Sequence, residues 1–392
     1  MRFLPAIPPA ARRAFLYDLG GAVLFGLFAG MVLPFLSVTA RRLGATPLQV
    51  SLLTAGPAIG LLFAAWWSAI IAGRNPVPFV VWPSVVARGL FLLAPLVSGP
   101  HAFVALVIAF HLVHGTILPA YTAAIRSVFP REHRGRLLGL VRVGLSLASI
   151  LAALVAGSAL QRFGYPAVFP VAAVFGIASA LVFGRIHLPG QPRSNERPSV
   201  HEAWRVALAD SRFRALLVTT SVFGFGGWMM APAVPLLLVD ELGATNSQVG
   251  VLSAVMSACS VLSFFVWGRF IDRHSGLAAI RIVFAVGILT PLLFYLAPST
   301  WYALLPFATD GFVIAAMDLA WMAAVMELAP ADRVSQYTGA YASLLGVRGV
   351  VAPLLAGVVA EAMGPRPVFL IAASLIATAA LVGWLAPRDQ AR

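Results

Sequence analysis

Twelve long apolar runs dominate this chain of 392 residues and limit what it can fold into. A membrane-spanning helix needs roughly 20 consecutive apolar residues, and only helices or closed barrels satisfy the backbone hydrogen bonds in lipid. The runs lack the short alternation of barrel strands. The sequence therefore predicts an all-α membrane protein whose helices lie at about residues 15–38, 47–71, 77–98, 101–125, 136–160, 166–187, 213–239, 246–270, 277–297, 300–327, 336–361 and 366–386.

The composition agrees with a membrane protein and excludes several other classes. Hydrophobic residues make up 60% of the chain and charged residues only 10%, against roughly 25% charged in a soluble domain. The single cysteine, Cys259, excludes an intrachain disulfide and most thiolate metal sites. The first apolar run is too long for a cleavable signal peptide and lacks the usual cleavage site. We expect that helix to remain in the protein.

The net charge of the chain is +13, and all of its 27 basic residues are arginines. The distribution of these arginines orients the helices. Short loops rich in arginine stay in the cytoplasm. With a cytoplasmic N-terminus, 20 of the 27 arginines lie on the cytoplasmic side and four on the outer side, with three inside spans. Both termini are then cytoplasmic. This bias explains the basic charge without nucleic acid as a partner.

One long polar stretch divides the chain into two groups of six runs. It gives a first bundle at residues 1–187, a cytoplasmic linker at 188–212 and a second bundle at 213–392. The later part of the linker has apolar residues at helical spacing, which predicts an interfacial helix.

The two groups of six repeat one another at an offset of 199 to 200 residues. Leu43–Thr46 recurs as Leu242–Thr245, and Gly157 matches Gly357. Several such matches in register indicate a duplication. Parallel six-helix repeats about an axis along the membrane normal occur in transporters that work by alternating access. The repeat therefore predicts two pseudo-symmetric six-helix bundles.

The loop between the eighth and ninth runs carries the most specific motif. It begins at Gly268, contains Asp272 and Arg273, and ends at Gly276. It resembles the cytoplasmic Gly-x-x-x-Asp-Arg-x-Gly loop of the major facilitator superfamily, and the resemblance covers essentially the whole chain. It implies a secondary transporter, a monomer, with its substrate bound between the bundles near mid-membrane.

In the resembled family this loop fastens the cytoplasmic gate. We expect Asp272 to face the positive N-terminus of a helix in the other bundle and Arg273 to pair with Glu327. The corresponding loop of the first half departs from the motif, because Ala72 stands where the second copy has Asp272. The second copy is therefore expected to carry most of the latch.

Ionisable residues inside a membrane are costly and usually face protein or a water-filled cavity. Asp310 and His111 occupy equivalent positions under the repeat, about mid-depth. The resemblance places their two helices around the transport cavity, so both are candidates for substrate or proton contact. The alternative is an ion pair that only ties helices together.

Six further ionisable residues lie within the runs. Asp318 follows Asp310 by eight residues, roughly 12 Å along a helix, so both can line one pathway. Arg348 is expected to hold Asp310 or an anionic substrate group. For Asp18 and Arg142 a structural ion pair is the favoured interpretation, with the proton pathway as the alternative.

The remaining two ionisable residues and three aromatic residues complete the candidate set. Arg88 is expected to point inward. His114 follows His111 by three residues, but no carboxylate completes a local ligand set, so neither a metal nor a cofactor is predicted. Tyr121, Trp228 and Trp321 are candidates for aromatic cavity walls, with ordinary packing as the alternative.

These features predict a multi-pass transporter of the inner membrane that moves a small organic solute. We expect it to be a proton-coupled antiporter, with membrane lipids as its surroundings and with export of amphiphilic compounds favoured. An uptake facilitator and a lipid flippase of the same fold remain alternatives, as does a non-transporting sensor. The chain lacks paired catalytic carboxylates, a nucleophile motif and a phosphate-binding loop, so an enzyme is not predicted.

Overall fold

The computed structural model describes residues 9–71, 73–130, 132–188, 205, 209–330 and 333–385. Within this part, twelve helices are long and apolar enough to cross a membrane. They are Ala11–Arg42 (α1), Pro47–Ser68 (α2), Val77–Leu96 (α3), Pro100–Val128 (α4), Arg134–Phe163 (α5), Tyr165–Phe183 (α6), Ser211–Glu241 (α7), Asn246–Arg273 (α8), Gly276–Tyr295 (α9), Leu304–Leu328 (α10), Tyr337–Met363 (α11) and Arg366–Trp384 (α12). Each overlaps one predicted run, which confirms the all-α membrane architecture.

Prolines distort α1 and α7. Pro34 lies in a 3₁₀ segment, Leu33–Phe35, that interrupts α1. In α7, Pro232 and Pro235 precede a π-helical segment, Leu237–Glu241. Proline removes a backbone donor and clashes with the preceding turn, so the hydrogen-bond ladder shifts locally.

In α4 a break precedes Pro119. The helix stops at His114 and resumes at Ile117, so the interruption falls at Gly115 and Thr116 rather than at Pro119. A methyl group at Gly115 would overlap the backbone of Gly60 in α2. The close approach of the two backbones thus coincides with the break, and Pro119 sits in the first turn of the new segment, where its missing N–H costs little.

Equivalent glycines end equivalent helices in the two halves. Gly164 ends α5 with φ 74°, and Gly364 ends α11 with φ 82°. The left-handed region is readily available only to glycine. The repeat seen in the sequence therefore corresponds to a repeated turn.

The described helices group into two compact units. The first contains the described residues of 1–45, 59–195 and 244–254, and the second contains the described residues of 46–58, 196–243 and 255–392. In the first unit α1 packs on α5 and α6, and α3 packs on α6; in the second, α7 packs on α11 and α12, and α9 packs on α12. The two units thus repeat one packing scheme.

The first turns of α2 and α8 pack against helices of the opposite sequence half. The start of α2 belongs to the second unit, where Gly357 of α11 closely approaches Ser51. The start of α8 belongs to the first unit, where Gly157 of α5 closely approaches Asn246. Small residues allow helices to approach in this way.

Two sequence-based predictions fall on residues outside the described set. One is the interfacial helix of the linker, which falls mostly within 189–204 and 206–208. The other concerns the first-half loop that departs from the motif at Ala72.

Candidate substrate and proton site

A cavity of about 530 Å³ lies within the second unit, between α7, α9, α10, α11 and α12. Its wall is mostly aliphatic and aromatic. Five residues predicted as site residues line it: Asp310, Asp318, Arg348, Trp228 and Trp321. Asp310 and Asp318 both lie on this wall, and their use as one pathway stays a prediction.

Asp310 presents a carboxylate to this cavity. It lies near the middle of the first half of α10 and is only partly exposed. Among the described residues, no hydrogen bond or ion pair joins its side chain to another group. The expected pairing of Arg348 with Asp310 is not formed.

The Arg348 guanidinium is held by groups of α7 and α11. One terminal nitrogen donates to the Thr220 carbonyl oxygen at 2.6 Å, and the other donates to the Tyr341 hydroxyl at 3.3 Å. The Nε atom is buried and has no partner among the described residues. Gly224 makes this position possible, because a methyl group there would overlap the guanidinium.

The aromatic wall of the cavity is built from α7, α10 and α11. The Trp321 and Tyr341 rings lie 4.3 Å apart between centroids, with their planes 7° from parallel. Trp228 lies against Gly349 of α11. The predicted wall residues of this half therefore do line the cavity.

Sequence reasoning missed Tyr341. Tyr341 lies seven residues before Arg348, a spacing that puts both on the same face of α11. That spacing is the signal that would have connected them.

Arg88 of α3 is buried in the first unit and points inward, as expected. One terminal nitrogen donates to the Gly176 carbonyl oxygen at 2.8 Å and to the Ser179 hydroxyl at 3.0 Å. The guanidinium carbon lies 4.5 Å from the centroid of the Phe25 ring. Neutral groups and a ring face therefore hold this cation.

The two histidines of α4 lie among aromatic rings. His114 stacks on Phe25, with centroids 6.0 Å apart and planes 17° from parallel, and its Nδ1 atom is buried without a partner in the described structure. His111 packs beside Phe110. No group of three potential metal ligands occurs among the described residues. A transport role for His111 and His114 stays a prediction.

Asp18 is bound by a tyrosine and not by the arginine that the sequence suggested. The Tyr121 hydroxyl donates to the Asp18 carboxylate at 3.1 Å, and Asp18 is only 2% exposed. Arg142 lies on the protein surface. The predicted Asp18–Arg142 ion pair is therefore wrong in this structure. Tyr121 bridges α4 to α1, and its role as an aromatic cavity wall stays a prediction.

The predicted Arg273–Glu327 pair is also wrong in this structure. Glu327, at the end of α10, accepts hydrogen bonds from the backbone N–H groups of Gly276 and Leu277. The first N–H groups of a helix have no partner within it, and its N-terminus attracts negative charge. The carboxylate thus caps α9, while Asp272 and Arg273 lie on the surface.

Comparisons with known proteins agree with this architecture. The sequence profile of the Major Facilitator Superfamily matches residues 19–229 and again residues 216–392. The chain belongs to the major facilitator superfamily. It is therefore a multi-pass membrane transport protein and not an enzyme.

Relatives within the superfamily include named drug-resistance proteins. The multidrug resistance protein MdtG of Dickeya zeae (strain Ech586) is 25% identical over 389 residues, covering 94% of this chain and 93% of that protein. MdtG of Salmonella arizonae (strain ATCC BAA-731 / CDC346-86 / RSK2980) is 26% identical over 384 residues and covers 93% of each chain.

Solved structures of the superfamily share this fold at low identity. The nucleoside transporter NupG aligns with a TM-score of 0.75 and 13% identity, over 96% of this chain and 98% of that one. A bacterial homologue of the human lysosomal transporter Spinster aligns with a TM-score of 0.72 and 15% identity, over 98% of each chain.

Proposed function

We propose that this superfamily member is a proton-coupled antiporter that exports amphiphilic compounds carrying a cationic group. The observation that carries the proposal is Asp310, whose carboxylate lines an apolar, aromatic cavity without a partner among the described residues. A carboxylate in such a site accommodates either a proton or a cationic substrate group. Exchange of one for the other couples proton entry to substrate exit.

The rest of the cavity supports an amphiphilic substrate. Its volume of about 530 Å³ falls in the range of roughly 300–1,000 Å³ that drug-sized ligands occupy. Its wall offers rings and few convergent hydrogen-bonding groups of the kind that sugars need. Arg348 is already held by Thr220 and Tyr341. The MdtG relatives are named multidrug resistance proteins, which points in the same direction.

The remaining assignments are parts of the same proposal. The arginine bias favours both termini in the cytoplasm and a place in the inner membrane, where the protein acts as a monomer by alternating access of the bundles 1–187 and 213–392. Further candidates for the proton pathway are Asp318, Asp18, Arg88, His111 and His114. The loop from Gly268 to Gly276 would serve as the cytoplasmic latch.

Transport in proteoliposomes tests the role of Asp310. An Asp310→Asn protein should lose transport driven by a pH gradient but keep exchange of substrate for substrate, because its site still binds the compound without exchanging a proton. Asp240→Asn is the matched control, since Asp240 lies at the end of α7, away from the cavity. Unchanged pH-driven transport by Asp310→Asn would remove this proposal.

A second candidate, a lipid flippase of the same fold, is favoured by one feature of the second unit. An apolar groove of about 540 Å³ is lined by residues of α2 and α11, among them Leu48, Leu52, Leu355 and Val358. The same proteoliposomes distinguish the candidates. Translocation of a labelled phospholipid without movement of a cationic amphiphile would favour the flippase.

A further inference from the structure

Two stacked rings form a flat part of the cavity wall. Trp321 of α10 and Tyr341 of α11 are nearly parallel and 4.3 Å apart between centroids. Both rings line the cavity. Tyr341 covers one face of Trp321, and the described residues place no other aromatic ring on the indole. Trp321 is partly exposed, so the wall offers part of a flat aromatic surface to a planar ligand.

The orientation of this pair is fixed from α7 through Arg348. One end of the guanidinium is anchored on the Thr220 carbonyl, and the other donates to the Tyr341 hydroxyl. The guanidinium carbon also lies 5.6 Å from the centroid of the Tyr341 ring. Arg348 is buried, with 8% of its surface exposed. A buried cation with these fixed contacts restricts the rotation of the tyrosine, and the tyrosine in turn supports Trp321.

We infer that Arg348 is a positioning residue for substrate selection, which acts through Tyr341 to hold Trp321 as a stacking surface for planar aromatic cations. Aliphatic cations of the same charge gain no stacking from this surface and are bound less tightly. The inference rests on the proposed function, because it assumes that Asp310 receives the charged group of the substrate.

Two probes of equal charge and different shape test the inference. N-methylacridinium is a planar cation, and decyltrimethylammonium is an aliphatic one. Their affinities are measured by equilibrium binding to the purified protein in nanodiscs, with empty nanodiscs as the blank. The wild type should bind the planar probe about tenfold more tightly than the aliphatic one, since stacking on an aromatic side chain is worth an amount of this order.

Variants that release the tyrosine should reduce this preference. Tyr341→Phe keeps the ring and removes the hydroxyl that Arg348 binds, and Arg348→Gln removes the guanidinium. Both should lower the ratio of the two affinities to about threefold or less, with most of the loss on the planar probe. Because both probes carry the same charge, the loss of a positive charge from the protein changes both affinities alike and leaves their ratio unchanged. Where Arg348→Gln fails to fold, Tyr341→Phe still provides the test.

A matched control lies on the same helix. Tyr337→Phe also removes a tyrosine hydroxyl, one that donates to Asp210 at 2.9 Å outside the cavity, and should leave the ratio at its wild-type value. Binding of both probes with a ratio that Tyr341→Phe and Arg348→Gln do not change would overturn the positioning role alone. Failure of the wild type to bind either probe would overturn the proposed cationic site and, with it, this inference.

Discussion

Three charged side chains buried in the described spans are held by neutral partners. Backbone carbonyls bind both buried arginines, and a phenol binds a buried carboxylate. The donor and acceptor pairs are Arg88 with Gly176, Arg348 with Thr220, and Tyr121 with Asp18. Hydrogen bonds to charged groups stabilise a fold by roughly 1.5–3 kcal/mol each. The sequence predicts that these residues lie within the membrane. It does not predict which carbonyl or hydroxyl group binds them, because that depends on how neighbouring helices are rotated about their axes.

Removal of the Tyr121 hydroxyl should destabilise the first unit. Tyr121→Phe leaves the Asp18 carboxylate buried without its donor, a cost of about 1–3 kcal/mol. The expected result is a lower thermal unfolding temperature of the purified protein. Tyr17→Phe, on the same helix as Asp18, is the control and should change it little. Equal effects of the two substitutions would contradict the role of the Tyr121–Asp18 bond.

Gly224 should tolerate no added methyl group. Gly224→Ala places a carbon in the volume of the Arg348 guanidinium, and overpacking of this kind costs about 1–3 kcal/mol. Gly227→Ala is the matched control on the same helix, because nothing lies within contact of a methyl group there. Thermal unfolding should show a loss for Gly224→Ala only. A loss of the same size for Gly227→Ala would show that Gly224 is needed for helix flexibility and not to make room for the guanidinium.

At the scale of the helix, length and apolarity are enough to locate every span. The predicted and observed bounds agree to within a few residues, because a run of about 20 apolar residues in lipid has no alternative to a helix. The groups that cap the end of a helix are less predictable. Glu327 lies 51 residues from Gly276, and no local pattern shows that α10 ends beside the first turn of α9.

The cap of α9 makes a prediction that separates it from an ion pair. Glu327→Ala leaves the N–H groups of Gly276 and Leu277 without this acceptor and should destabilise the protein by about 1 kcal/mol. Arg273→Gln should have no effect on the unfolding temperature, since Arg273 does not contact Glu327 in this structure. Equal losses of stability in the two variants would contradict the cap and support an ion pair between Arg273 and Glu327.

At the scale of the whole molecule, the duplication was the most informative pattern in the sequence. It predicted two sets of six helices, and the units repeat one packing scheme with matching left-handed glycines at Gly164 and Gly364. The sequence predicted one pathway for Asp310 and Asp318, but it did not predict the full set of side chains that share their cavity. Asp310, Asp318, Arg348, Trp228 and Trp321 come from three helices, and only their packing brings them together.

The arginine bias predicts the orientation of the chain. In a Cys259→Ser background, a cysteine at Asn75 should lie in the cytoplasm and a cysteine at Ser98 outside the cell; both residues are exposed. A membrane-impermeant maleimide added to intact cells should label position 98 and leave position 75 unlabelled until the cells are broken. The reverse pattern would place the termini outside.

Proton release on substrate binding tests the central claim, the competition at Asp310, most directly. The purified protein in weakly buffered solution receives a cationic amphiphile while the pH is recorded. The wild type should release protons in proportion to the substrate bound, and Asp310→Asn should bind the amphiphile and release none. Equal proton release from the wild type and Asp310→Asn, at equal binding, would contradict Asp310 as the residue where proton and substrate compete.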